Sequence, residues 1–272
     1  MSNLFCSFYK PFSILINHRY IIQSLTKKDI ISRYRGSILG IMWSFFNPLL
    51  MLGLYTFFFR FVFKARWPNV GDSTADYAVM LFAGLVVHAL ASDIISKSSG
   101  IISRNSNLVK KVVFPIEVLP WVVLMSSLFH MLISMLVLIG FFLISGGTIQ
   151  WTILFLPVVF IPMAILFMGV SWFISALSAY IKDVEQLIGT VVTFLLFTST
   201  VFFSIDNIPN QLKPLLYINP ITQIINDFRR ILVYGMSPDF KLLFIYTIAA
   251  LIIFWGGYNF FMKVRKGFSD IL

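Results

Sequence analysis

"VLPWVVLMSSLFHMLISMLVLIGFFLISGGTIQWTILFLPVVFIPMAILFMGVSWFISALSAYI", Val118 to Ile181, contains no Asp, Glu, Lys or Arg. A helix needs about 20 residues to cross roughly 30 Å of hydrocarbon, so this run is long enough to cross twice. "SGGT", Ser145–Thr148, is the natural turn between the two crossings. The whole chain agrees with this reading: 58% of its residues are hydrophobic and 12% charged, with a mean hydropathy of +0.89. A soluble domain needs a charged skin that this composition cannot supply, so the chain reads as a polytopic membrane protein.

Reading between charges extends the pattern in both directions. The expected spans are residues 36–63, 77–96, 118–144, 149–180, 186–205 and 242–262. Long unbroken apolar runs are not barrel strands, so an all-α fold of six transmembrane helices is expected. Asn47-Pro48 falls inside the first span, where it could bend the helix. One further apolar run, Pro214–Asn226, is too short to cross and is interrupted by Asn219-Pro220. It suits a re-entrant or interfacial element within a segment, 206–241, between the last two spans. Residues 1–35 suit an interfacial helix along the membrane surface, on position and basic charge more than on periodicity. Residues 36–272 then form one transmembrane domain.

Lys and Arg set the orientation. Lys10, Arg19, Lys27, Lys28, Arg33, Arg35, Lys97, Arg104, Lys110, Lys111, Lys182, Lys263, Arg265 and Lys266 would lie on one side. Arg60, Lys64, Arg66, Lys213, Arg229, Arg230 and Lys241 would lie on the other. Both termini are therefore expected in the cytoplasm. The net charge of +10 follows from such loops facing anionic lipid, and nucleic acid is not needed to explain it. Cys6 is the single cysteine, which leaves no internal disulfide and no thiolate metal cluster. The N-terminus has no compact apolar core ending in small residues, so no cleavable signal peptide is expected.

Candidate chemistry is sparse. His88 and Asp93 form an H-x-x-x-x-D spacing, but residues five apart on a helix point about 140° apart, which disfavours a catalytic pair. Asp93 reads either as the mark of a polar path or a helix contact, or simply as the cytoplasmic end of its span. His130, near Ser126, Ser127 and Ser134, suits an interhelical hydrogen bond better than a metal site. No Gly-rich phosphate loop of the G-x-x-x-x-G-K-[ST] type occurs, so any ATP must be bound by another chain. Aromatics make up 17% of the residues. Membrane-interface belts account for most of them, while some could line a passage for sugar rings. In the loop 97–117, "SRNSNLVKKVVFPIEVLP" (Ser103–Pro120) joins a short polar segment to Phe-Pro and Leu-Pro steps. Each proline restricts the residue before it, so a sharp turn into the membrane is expected there. A short anchored helix in such a loop is what a soluble motor could push, and a positive loop fixing topology fits the same residues.

Four stretches together resemble the permeases of bacterial ABC exporters of cell-surface polysaccharides, of the O-antigen, capsule and teichoic-acid type. They are "KKDIISRYRGSILGIMWSFFNPLL" (Lys27–Leu50), "NLVKKVVFPIEVLP" (Asn107–Pro120), "YIKDVEQLI" (Tyr180–Ile188) and "YINPITQIINDFRRILVYG" (Tyr217–Gly235). Two departures are Ile116, where the family often has a basic residue, and Lys182-Asp183, where it often has Arg-Asp.

The resemblance implies a homodimer in the bacterial inner membrane with two copies of an ABC ATPase subunit beneath it. ATP and Mg would be bound on that partner, and this chain would carry no cofactor, no metal and no catalytic residue. The substrate implied is a polysaccharide on an undecaprenyl pyrophosphate carrier. Arg33, Tyr34, Arg35, Trp43, Phe46, Asn47 and Tyr55 would form the lip and path. Arg104, Asn107, Leu108, Lys110 and Lys111 would couple to the ATPase. Asn219, Pro220, Asp227 and Arg229 would belong to short periplasmic gate helices. Arg33 and Arg35 suit either attraction of the carrier's pyrophosphate or plain topology anchoring. The rivals are the same architecture moving a teichoic acid, drug or small lipid, and a polytopic membrane enzyme of glycan or lipid synthesis.

Overall fold

The computed structural model describes residues 2–62, 67, 74–111 and 114–268. Lys64 and Arg66 lie outside the described residues, as do the side chains of Lys110 and Lys111. Twelve α-helices run through the described residues: α1 Ser2–Asn17, α2 Arg19–Ser32, α3 Trp43–Thr56, α4 Thr74–Ser98, α5 Ile101–Arg104, α6 Ser106–Lys111, α7 Leu119–Ile144, α8 Leu156–Tyr180, α9 Asp183–Phe197, α10 Lys213–Ile218, α11 Thr222–Leu232 and α12 Phe240–Val264. Five helical stretches are long and apolar enough to cross a membrane: Gly40–Val62, Thr74–Ser98, Ile116–Ile144, Trp151–Tyr180 and Phe240–Gly267.

The expected fifth span, residues 186–205, differs. Its helix, α9, has 15 residues and ends at Phe197. Thr198 Oγ1 donates to the Phe194 carbonyl at 2.7 Å, and Ser199 Oγ donates to that of Leu196 at 2.9 Å. Such hydroxyls offer the backbone an alternative to the helical ladder. Beyond them the Thr200 and Val201 carbonyls are taken by the Arg229 side chain. The run is uncharged to Ile205, but hydroxyls gather after Phe197, carbonyls there are satisfied from outside, and the helix stops.

The N-terminal segment is two helices, with a break at His18. Pro48 sits inside α3, which widens to π-helical turns over Phe57–Val62. Pro115 has φ −72° and ψ 88°, outside the helical region, and stands just before the short turn Ile116–Val118 that leads into α7. Leu119, before Pro120, is instead helical, with φ −58° and ψ −44°. Pro120 stands in the first turn of α7, where its missing N–H would have had no helical partner, so the turn comes from Pro115 alone.

The bundle is built on α4, α7, α8 and α12. In hydrocarbon there is little hydrophobic gain from bringing helices together, so close packing and interhelical hydrogen bonds must do it. Helices α8 and α12 cross at Gly169 and Gly257: a Cβ on Gly257 would collide with the Gly169 carbonyl oxygen, and one on Gly169 with the backbone of Ile253–Phe254. Near this crossing Trp172 stacks edge-on against Trp121 (5.8 Å), Phe254 (5.3 Å) and Tyr258 (5.1 Å), joining α7, α8 and α12. Helix α4 is tied to α8 by a buried hydrogen bond of 2.6 Å between the Ser98 and Ser171 hydroxyls. It is also the most enclosed span: 78% of its apolar stretch is buried, against 6% for Gly40–Val62, so α4 is the pillar and α3 an outer helix.

The glycine crossing yields a sharp prediction. Gly257→Ala should lower stability by about 1–3 kcal/mol, the range for overpacking a filled interface. Gly256→Ala, whose added Cβ would meet nothing within 4 Å, should leave it unchanged. Thermal unfolding of the detergent-solubilised protein measures both.

Candidate functional site

Two polar clusters form at opposite ends of α4. The first gathers where the linker after α2 meets α4 and α7. Asp93 accepts a hydrogen bond of 2.7 Å from Ser127 Oγ and pairs with Arg33 at 3.2 Å and Lys97 at 3.0 Å. Lys97 also reaches Asp29 of α2 at 3.2 Å and Ser126 of α7 at 3.1 Å. Two acids and two bases thus alternate, and each charge faces an opposite one. Asp93 is therefore a helix contact joining α2, α4 and α7, and not simply the end of its span. Sequence reading could not choose between these because Arg33 lies 60 residues away.

Beside this junction is a cavity of about 410 Å³. It brings together four of the seven expected lip and path residues: Arg33, Tyr34, Asn47 and Tyr55. Arg35 is exposed, Phe46 is 37% exposed and Trp43 is half-buried, and none of the three lines this cavity. The Tyr34 hydroxyl lies 3.4 Å from His130 Nδ1, so the partner of that histidine is in the turn after α2 and not on another helix. Burial pushes the Tyr34 phenol above its usual range, so it stays neutral and able to donate. His88 and Asp93 both touch the cavity but turn to different partners, His88 to the Val192 carbonyl of α9 at 3.2 Å.

The second cluster centres on Arg229, which is 3% exposed. Its Nε donates to the Met80 carbonyl at 2.9 Å, Nη1 to Thr200 at 2.6 Å and Nη2 to Val201 at 2.9 Å. The guanidinium also lies 4.2 Å above the Trp67 ring. Burial lowers its pKa, to about 9, which still leaves it charged at neutral pH. Gly84 makes this possible, since a Cβ there would stand 2.8 Å from Nη2. Asn219 adds a second clamp, with Nδ2 donating to Leu195 at 2.8 Å and Oδ1 accepting from the Ile221 N–H at 3.1 Å. Pro220 follows it, so the helix breaks and α10 and α11 are separate. Asp227 accepts from the Asp239 N–H at 2.9 Å and Gln223 Nε2 at 2.8 Å, which fastens α11 to the start of α12. Burial raises the Asp227 pKa, partly offset by those two donors. The four expected gate residues thus lie on or between α10 and α11, with Asn219, Asp227 and Arg229 each making a separate tie, and the partners of those ties were not legible in the sequence.

The expected coupling residues fall on two short helices. Arg104 ends α5 and donates to the Lys97 carbonyl at 2.6 Å, while Asn107, Leu108, Lys110 and Lys111 belong to α6. Asn107 is exposed. The loop is moored behind them by Glu117, which pairs with Arg265 beyond α12 at 2.7 Å. Among the described residues no group of three or more His, Cys, Asp and Glu side chains could hold a metal ion.

Residues 20–233 match the model of the ABC-2 type transporter family, most of the chain and both polar clusters. The chain belongs to the ABC-2 type transporter family. It is 27% identical over 250 residues to the O-antigen export system permease protein RfbA of Klebsiella pneumoniae, covering 91% of this chain and 93% of that one. The permease of the same name from Myxococcus xanthus is 23% identical over 258 residues, 94% of this chain and 96% of the relative. The polysialic acid transport protein KpsM of Escherichia coli is 22% identical over 241 residues, 85% and 90%. As an ABC-2 permease of five or more spans, the chain is a multi-pass membrane protein whose family works with a separate ABC ATPase.

Arg229→Lys should fail to rescue what Arg229→Met loses, because one ammonium cannot reach three carbonyls held in a fork-like arrangement. Both should lower unfolding stability by on the order of 3 kcal/mol. Full stability in the Lys variant would contradict the clamp. Asp93→Asn, which takes the acid from Arg33 and leaves Lys97 with Asp29 alone, should cost about 1–3 kcal/mol. It should also make the α2–α3 linker more open to protease.

Proposed function

We propose that the chain is the permease subunit of an ATP-driven exporter that moves a lipid-linked polysaccharide out of the cytoplasm. The observation that carries this reading is the cavity beside Arg33, in a chain whose relatives are O-antigen and capsule export permeases along most of their length. A carrier lipid with a pyrophosphate headgroup needs a basic lip at the membrane surface, and Arg33 supplies one within reach of the bilayer. Its current partner, Asp93, is a carboxylate that a pyrophosphate can replace with stronger charge-assisted bonds. The undecaprenyl carrier is the lipid this chemistry suits.

In this reading two copies of the chain assemble with two ATPase subunits, both termini face the cytoplasm, and α9 with the stretch after it makes a sixth crossing. Residues Arg104–Lys111 receive the push of the ATPase. Helices α10 and α11 form the gate on the far side. ATP and Mg stay on the partner, and nucleotide turnover shifts the permease between two arrangements. The permease then needs no catalytic group of its own. Capsule polysaccharide is the second substrate reading, favoured by the similarity to KpsM and to the capsule export protein CtrC of Neisseria meningitidis.

Deleting the chain from its host should abolish surface polysaccharide and leave lipid-linked polymer inside the cell, and the wild-type chain should restore export. The double variant Arg33→Gln, Arg35→Gln should insert normally and export about tenfold less, the scale of one lost charge-assisted contact. Unchanged export in that variant would remove the headgroup role from the arginines. Unchanged surface polysaccharide in the deletion would overturn the function.

A further inference from the structure

At the Arg229 end of α4, a cavity of about 540 Å³ lies between α11, the start of α12 and the turn at Ser204–Asp206. Its wall carries Trp67, Tyr217 and Tyr234 beside Asn226, Asp239 and Arg230. This mixture differs from the helix-packing surfaces around it. Aromatic faces give broad apolar contact, and carboxylates, carboxamides and guanidinium groups give planar sets of donors and acceptors. Those two properties together match a pyranose ring, which has an apolar C–H face and a rim of hydroxyls.

Two details sharpen the match. Tyr217 is 41% exposed, so its ring is free to be covered, whereas the Trp67 face is already occupied by Arg229. The charge is also distinctive. Among the described residues of the wall, Asp206, Asp227 and Asp239 outnumber Arg229 and Arg230, and every nitrogen of the Arg229 guanidinium is committed to a carbonyl. The wall therefore disfavours an anionic sugar, the reverse of the basic lip at Arg33.

We propose that this cavity is a binding subsite for one neutral pyranose unit, with Tyr217 as the stacking surface and Arg230 and Asp239 as the polar rim for its hydroxyls. The inference deepens the glycan-export reading and rests on it for the ligand's class. It assigns the far mouth a site within each copy of the chain, where a sugar unit would pause after passing the membrane.

The test is saturation-transfer NMR on the full-length chain in lipid nanodiscs. The probes are the methyl pyranosides of glucose, mannose, galactose and N-acetylglucosamine, with methyl glucuronide as the anionic comparison. At least one neutral glycoside should take up saturation, and glucuronide should not. Tyr217→Ala should weaken the signal about fivefold, as expected for losing one modest contact. Tyr217 makes no hydrogen bond among the described residues, so its variant should fold. No transfer to any neutral glycoside, equal transfer to glucuronide, or an unchanged signal in Tyr217→Ala would overturn the subsite. Export by the wild-type chain in the deletion strain is scored separately, so absence of sugar binding with export intact removes the subsite and leaves the transport function standing.

Discussion

A charge enclosed in an apolar bundle has to find its counterpart inside the protein, and helix α4 meets that constraint at both ends. At one end Asp93 lies between Arg33 and Lys97, with Ser127 as a third partner. At the other, the Met80 carbonyl is one of three held by Arg229. The two solutions differ in kind. Asp93 is neutralised by opposite charge, whereas Arg229 is solvated by carbonyl dipoles and an aromatic face. The first uses a partner that an anionic ligand can replace. The second has no such exchange, and removing the cation leaves three carbonyls without donors.

That difference bears on movement. A network of alternating charges with Arg33 46% and Asp29 41% exposed at its rim can loosen without burying a lone charge. The Arg229 clamp binds α4, the stretch after α9 and α11 into one unit, to which Asp227 fastens α12. An account of export needs both properties: a yielding contact where the substrate enters, and a rigid frame around the place where it leaves. The proposed sugar subsite sits against that frame.

The sequence disclosed the class of fold because lack of charge over Val118–Ile181 leaves few physical alternatives. It disclosed the break at Asn219-Pro220 because proline removes a helical donor. It did not disclose where α9 ends, since Phe197 to Val201 is apolar or hydroxylated and the groups that capture its carbonyls, Asn219 and Arg229, are more than 20 residues away. Asp93 failed for the same reason: its partners become neighbours only on folding. The lip residues were legible as a motif, but the cavity needed α4 and α7 to complete it. Nothing local distinguished Tyr34 and Asn47, which line it, from Trp43 and Phe46, which do not.

The most direct measurement is transport by purified components. The chain and its ATPase partner, placed together in liposomes loaded with the host's lipid-linked polysaccharide, should move glycan across the bilayer when ATP is supplied. A lectin added to the receiving compartment would detect it. The account predicts glycan signal that requires ATP, the ATPase and this chain together. Glycan crossing at the same rate without the chain, or none crossing when all three are present and nucleotide is being hydrolysed, would contradict it.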